Sequence, residues 1–130
     1  MRKIEFIAKK YVKLSNEFLS LEAKGNLGQI NKMDIPTKPG IYLFTDKNEK
    51  ILYVGKTKNI QDRLYSKHRM GTLESSTLKR KLVKLKGLKE EEVKKYMESK
   101  FYVIWKIIPL AEITSFEHFL ISVLNPEYND

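Results

Sequence analysis

The sequence contains no cysteine, which excludes disulfide staples, thiolate zinc sites and cysteine nucleophiles in any compartment. Histidine occurs only at His68 and His118, and isolated imidazoles of this kind are more often surface or hydrogen-bonded groups than metal ligands. No apolar run approaches the roughly 20 residues of a membrane span. Residues 1–10 carry charges throughout. The expectation is a soluble, cytoplasmic protein with no membrane partner. Neither an internal repeat nor a low-complexity tract is present.

What is present is a chain of 130 residues, 42% hydrophobic and 11% aromatic, enough apolar matter for one packed core. Lys and Arg number 25 against 16 Asp and Glu, a formal net charge of +9. A surplus of cations favours a polyanionic partner, because neutralising phosphates releases condensed counterions.

Residues 4–24 place Ile7, Tyr11, Leu14, Phe18 and Leu21 at spacings of three and four, which predicts an amphipathic helix stopped by Gly25. Residues 26–39, rich in Gly, Asn and Pro, read as a connector. Asn59 followed by Asp62 predicts a helix start, with Ile60 and Leu64 as an apolar pair and the helix running to about His68. Ser75 or Ser76 caps a second helix through Lys86, with Leu78, Leu82 and Leu85 inward and Lys79, Arg80, Lys81, Lys84 and Lys86 around the rest. A helix over 89–99, a strand over 101–108 and a final helix over 114–124, apolar on almost every side, complete the chain.

Residues 40–45 and 50–55 are two β-prone runs separated by Asp46-Lys47-Asn48-Glu49, the signal of a hairpin. With Lys47-Asn48 as a two-residue loop, Tyr42 faces Tyr53. Tyr42, Phe44, Ile51 and Tyr53 then share one face, and Ile41, Leu43, Leu52 and Val54 the other.

Along the chain stand Gly40-Ile41-Tyr42, Tyr53-Val54-Gly55-Lys56, Arg63, Glu117 and Pro126-Glu127-Tyr128-Asn129. Their order and spacing resemble the GIY-YIG nuclease superfamily. The first triplet is identical to the family's name, and the second differs only by Val54 for Ile. The resemblance implies an α/β (α+β) fold, a small three-stranded antiparallel sheet flanked by helices, here preceded by an N-terminal helix. It divides the chain into an N-terminal helix and connector over 1–35 and a nuclease domain over 36–130. It further implies a divalent-metal-dependent endonuclease acting on nucleic acid, DNA rather than RNA. Tyr42 or Tyr53 would deprotonate the attacking water, with Tyr53 favoured. Arg63 would contact phosphate, and Glu117 would hold one Mg²⁺ or Mn²⁺ ion. Asn129 matches the terminal asparagine of the family and is expected to order the site around Glu117 and contribute to substrate binding.

These residue types suit that chemistry. A phenol has an unperturbed pKa of about 10, so it serves as a base only where cations such as Lys56 and Arg63 favour the phenolate. A guanidinium can fork onto two phosphate oxygens and stabilise transition-state charge. Mg²⁺ takes few carboxylates and completes its octahedron with water and phosphate, so Glu117 alone is an adequate anchor. Lys56, Lys79 and Arg80 are the further candidates for phosphate contact. Plainer readings exist for each residue. Tyr42 and Tyr53 also fit an ordinary cross-strand aromatic pair, and Gly40 and Gly55 fit relief of crowding at strand ends. Arg63 fits a solvated helix position. Glu117 fits a capping box with Thr114. The alternative function is a module that keeps the fold and binds nucleic acid without cutting it.

Overall fold

The structure is a computed structural model that describes residues 2–23, 25–69 and 76–129, with side chains from residue 4 onward and excluding those of 67–69. Ser75 and the His68 side chain therefore lie outside the described residues. The elements run in the order α1 (Arg2–Leu19), β1 (Gly40–Thr45), β2 (Ile51–Thr57), a π-helix (Asp62–Arg69), α2 (Thr77–Lys86), α3 (Glu90–Lys100), β3 (Tyr102–Ile107) and α4 (Ile113–Leu124). The three strands form one antiparallel sheet in the order β2-β1-β3, the sheet expected from the sequence.

The central strand β1 is buried along its whole length, because helices cover both faces. On one face Tyr42, Phe44, Leu52 and Val103 pack with Ile60, Leu64, Leu78, Leu82, Val93 and Met97, drawn from the π-helix region, α2 and α3. On the other, Ile41, Leu43, Val54 and Ile104 pack with Phe18 of α1 and with Phe116 and Leu120 of α4. Period-two alternation along β1 divides its side chains between these two cores.

The hairpin register differs from expectation. Phe44, not Tyr42, stands opposite Tyr53, and Tyr42 stands opposite Gly55. The loop holds three residues rather than two: Glu49 N–H donates to Asp46 O at 3.1 Å and Asp46 N–H to Lys50 O at 3.0 Å. The left-handed position is Glu49, φ 66°, not Asn48. Asp46 carboxylate fixes this turn by accepting from the Asn48 and Lys50 amides at 2.8 and 3.0 Å. This turn advances the pairing by one residue, so that Thr45 faces Ile51, and a separate bulge at Leu52, between the Thr45–Ile51 and Phe44–Tyr53 pairs, advances it by one more. The bulge exchanges two neighbours: Leu52 joins the tyrosine face and Ile51 packs with the aliphatic one.

α1 ends at Leu19, earlier than Gly25, because the following chain is drawn onto the sheet. Val103 N–H donates to Gly25 O at 3.1 Å and Asn26 bridges to Tyr102. Tyr11, Leu14 and Phe18 pack inward as expected, whereas Ile7 and Leu21 remain exposed. In α2, Ser76 supplies the cap, its hydroxyl accepting from Lys79 N–H at 3.2 Å, and Gly87 closes the helix in the left-handed region, φ 65°. Two residues exchange the sides expected of them: Leu85 is 62% exposed and Lys79 only 2%.

Candidate active site

The tyrosines come together although they are not directly opposed. Tyr42 and Tyr53 project on the same face as diagonal neighbours, ring centroids 6.2 Å apart. Such diagonal pairs lie within aromatic reach. Opposite Tyr42 the strand carries Gly55, and the phenol occupies the space a side chain there would take. A Cβ on Gly55 would meet Tyr42 Cζ at 2.2 Å.

Arg63 enters from the start of the π-helix. Asn59 caps this turn by accepting from Asp62 N–H at 3.0 Å, as the sequence predicted, and Arg63 N–H donates to Asn59 O at 3.1 Å. The half-buried Arg63 side chain then donates from Nε to the Tyr42 hydroxyl at 3.4 Å. Burial works against the guanidinium charge, and the Tyr42 and Tyr53 hydroxyls outweigh it. Burial pushes the Tyr42 hydroxyl well above the ordinary phenol range, Tyr53 adds to that, and Arg63 only partly offsets it. Tyr42 is 1% exposed, whereas Tyr53 is only partly buried. Tyr53 is thus the phenol that a water molecule can approach.

Glu117 reaches the same strand from its free edge. Being the outer strand, β2 leaves the polar groups of its outward residues without a β partner. The C-terminal segment covers them in turn. Tyr128 N–H donates to Leu52 O at 2.8 Å. Asn129 accepts from Val54 N–H at 2.8 Å through Oδ1 and donates to Val54 O at 2.9 Å through Nδ2. Next along the edge Lys56 lies close enough to the Glu117 carboxyl for its charge and its backbone amide to favour the anion. Partial burial raises the Glu117 pKa above the usual carboxylate range, opposed by the Lys56 charge, by His118 and by the nearby Lys56 backbone amide. His118 lies with Nε2 4.0 Å from Glu117 Oε1. A shallow depression of ≈ 490 Å³ opens beside them, lined by Glu117, His118, Ile121, Ser122 and Asn129.

The capping role considered for Glu117 is not found. α4 begins at Ile113 with Glu112 at the cap position. Thr114 therefore sits inside the first turn, and its hydroxyl accepts from Lys56 Nζ at 3.1 Å. Lys56 thereby leans toward Glu117. Asn129, expected near substrate, has both ends of its amide engaged with Val54. Lys79 is turned inward, and desolvation lowers its pKa, with Lys94 acting in the same direction. Arg80 remains on the surface. Lys81, read from the sequence as one of the outward cations of α2, has a structural task that the sequence did not reveal: its Nζ donates to Tyr128 O at 2.8 Å and ties α2 to the C-terminal segment. No local pattern distinguishes it from the other cations of that helix.

As a metal site the donor set is sparse: among the described residues no three His, Asp or Glu side chains gather. One hard carboxylate beside an open depression fits a Mg²⁺-like ion that keeps most of its waters. It does not fit a tetrahedral zinc centre.

The family model of the GIY-YIG catalytic domain matches residues 38–129. Among curated proteins, UvrABC system protein C of Tropheryma whipplei is 57% identical over 35 residues, 27% of this chain and 6% of that protein. The same-named protein of Flavobacterium johnsoniae is 30% identical over 100 residues, 75% of this chain and 14% of that protein. The chain thus spans a small part of the relatives it matches. Among solved structures, the GIY-YIG N-terminal endonuclease domain of UvrC from Thermotoga maritima, bound to magnesium as its catalytic divalent cation, superposes with a TM-score of 0.50. It shares 21% identity, with 76% of this chain and 91% of that one covered. A tyrosine-to-phenylalanine variant of the same domain also gives a TM-score of 0.50, at 22% identity over the same shares. These likenesses are likenesses of fold. No helix among the described residues is long and apolar enough to cross a membrane.

Proposed function

The chain belongs to the GIY-YIG catalytic domain family, and from that premise we propose that it is a divalent-metal-dependent endonuclease hydrolysing phosphodiester bonds, with DNA as its substrate. One observation carries this reading: Arg63 Nε reaches the Tyr42 hydroxyl at 3.4 Å beside the Tyr53 ring, 6.2 Å from that of Tyr42, with Glu117 near enough to act on the same hydroxyl. A phenol, a guanidinium and a carboxylate thus converge on one end of the sheet, the combination that water activation and phosphate binding require.

Within that geometry the roles divide by burial. Tyr42 is the buried strut that holds Arg63, and Arg63 pairs with the non-bridging oxygens of the scissile phosphate. Tyr53, partly open and touched by the same guanidinium, takes the proton of the attacking water, since a cation beside a phenol favours the charged form. Lys56 adds positive charge at the phosphate. Glu117 would hold the metal, a Lewis acid that polarises the phosphate and neutralises charge on the leaving oxygen. Asn129 positions the Glu117 end of the site by fixing the C-terminal segment on β2, and Arg80 with its neighbours extends the cationic surface.

The test is cleavage of a labelled panel of duplex, branched and single-stranded DNA and of RNA, with Mg²⁺, with Mn²⁺ and with chelator. Metal-dependent nicking of DNA is the expected result. Tight binding without cleavage under every metal condition would replace this reading with the non-cutting module.

A further inference from the structure

A second cavity, of ≈ 360 Å³, lies at the other end of β2, within the range of about 300–1,000 Å³ that small-molecule sites occupy. Its wall carries Lys47, Lys50, Lys86 and Lys100 together with Tyr96 and Tyr102. Two carboxylates also line it, Asp46 and Glu127, but both are engaged. Asp46 accepts from two amides of its own turn, and Glu127 pairs with Lys50 at 3.4 Å. The lining is therefore net cationic and carries two partly buried phenols. Cations beside aromatic faces are the combination by which proteins hold unpaired nucleotides, the base stacking on the ring and the phosphate meeting the ammonium groups.

We propose that this cavity binds one unpaired nucleotide of the substrate, its base against Tyr96 or Tyr102 and its phosphate among Lys47, Lys86 and Lys100. The proposal rests on the nuclease reading for the identity of the strand. From Lys50 to Lys56 the strand spans about 20 Å at ~3.3 Å per residue, and nucleic acid rises ~3.4 Å per base. A stacked strand would therefore place the bound nucleotide no more than about six positions from the scissile phosphate, an extended unpaired strand fewer, and the preferred substrate carries a single-stranded stretch on that side of the cut.

The experiment is a titration of the isotope-labelled full chain, followed by nuclear magnetic resonance, with thymidine 3′,5′-bisphosphate and in parallel with inorganic phosphate. The expected result is movement of the amide signals of residues 47–52 and 96–102 by the bisphosphate, not reproduced by inorganic phosphate at equal concentration. Tyr102→Ser weakens this binding about tenfold, the scale of one lost stacking contact. Lys100→Gln, a surface change that leaves the fold alone, weakens it as well. Signals that stay in place, an equal response to inorganic phosphate, or unchanged affinity in both variants would overturn the proposal. Cleavage by the parental chain is read separately. A chain that cuts while these signals stay still loses only the nucleotide pocket, and one whose signals move without cleavage loses only the nuclease reading.

Discussion

The Tyr42 ring lies across Gly55, its cross-strand partner, so closely that a Cβ at residue 55 would stand 2.2 Å from Cζ and 2.3 Å from the hydroxyl oxygen. The second glycine of the motif is thereby tied to the first tyrosine: without a side chain at 55, the phenol can lie flat enough for Arg63 Nε to reach it at 3.4 Å. Gly55→Ala is expected to displace the ring and Arg63 with it. Overpacking of this kind costs about 1–3 kcal/mol, read as a lower denaturation midpoint, and cleavage should fall about tenfold or more, since arginine placement governs transition-state charge. In a Tyr42→Ala background the same substitution should cost almost nothing further, because the two residues act through one contact. Additive losses would show that the ring and the glycine are independent.

The two tyrosines should separate by pH profile as well as by rate. Tyr53→Phe is expected to lower cleavage by about 10², the scale of a lost general base, and to flatten the rise in rate with pH. Tyr42, whose hydroxyl burial holds above the ordinary phenol range, cannot ionise at working pH. Tyr42→Phe should therefore keep the parental profile while weakening phosphate binding through a looser Arg63. A flattened profile in Tyr42→Phe and a parental one in Tyr53→Phe would reverse the assignment.

The helices and the three strands were legible in the sequence because apolar periodicity is a local property, and the candidate site residues were legible only through the resemblance of their motifs to a family. The register was not, since Asp46-Lys47-Asn48-Glu49 offers Asn48 as the natural left-handed residue, and the actual choice, Glu49, is imposed by the amides that Asp46 gathers. Thr114 and Glu117 carry the spacing of a capping box, yet the helix starts before them, and the Thr114 hydroxyl is taken by Lys56 Nζ on another element. Lys79 looks like any cation of α2 until α3 is placed beside it. What failed in each case depends on a neighbour distant in sequence.

For the basic helix this predicts a division among its cations. Arg80→Gln and Lys84→Gln, both at exposed positions, should each flatten the dependence of log affinity on log salt by about 0.9, one phosphate contact apiece on duplex DNA. Lys79→Met should leave the slope unchanged, because that ammonium is turned away from solvent. A slope that drops for Lys79→Met and holds for the other two would relocate the phosphate track.

Glu117→Gln should abolish metal-dependent cleavage while folding and DNA binding persist. Gln keeps the length and shape of the side chain and loses the charge that attracts a hard cation. The pH behaviour follows from the raised pKa. A carboxyl that holds its proton more tightly when folded loses its anion as pH falls, at a pH above the usual carboxylate range, so the acid limb of activity should lie higher than an ordinary Glu predicts. The same group favours the folded state more at low pH than at high, since the folded chain binds the extra proton. Glu117→Gln should thus be at least as stable as the parent at neutral pH. Retained cleavage with the parental metal dependence would remove Glu117 from the metal site.

The sharpest discrimination comes from Asn129, whose amide is matched group for group to the Val54 peptide, Oδ1 to its N–H and Nδ2 to its C=O. Asn129→Ala removes both hydrogen bonds, each contributing about 0.5–1.5 kcal/mol net, and leaves two backbone groups on the edge of β2 to find water. Asn129→Asp is nearly the same shape, but its second oxygen faces the Val54 carbonyl, acceptor against acceptor, with a charge to desolvate as well. If Asn129 positions the C-terminal segment, Asp should be at least as harmful as Ala to stability. Both should lower cleavage through a displaced Glu117, seen as a higher metal concentration for half-maximal activity with little change in DNA affinity. If Asn129 instead contacts substrate, Ala would weaken DNA binding and leave the metal requirement alone. Measuring metal dependence and DNA affinity on the same two variants decides between them.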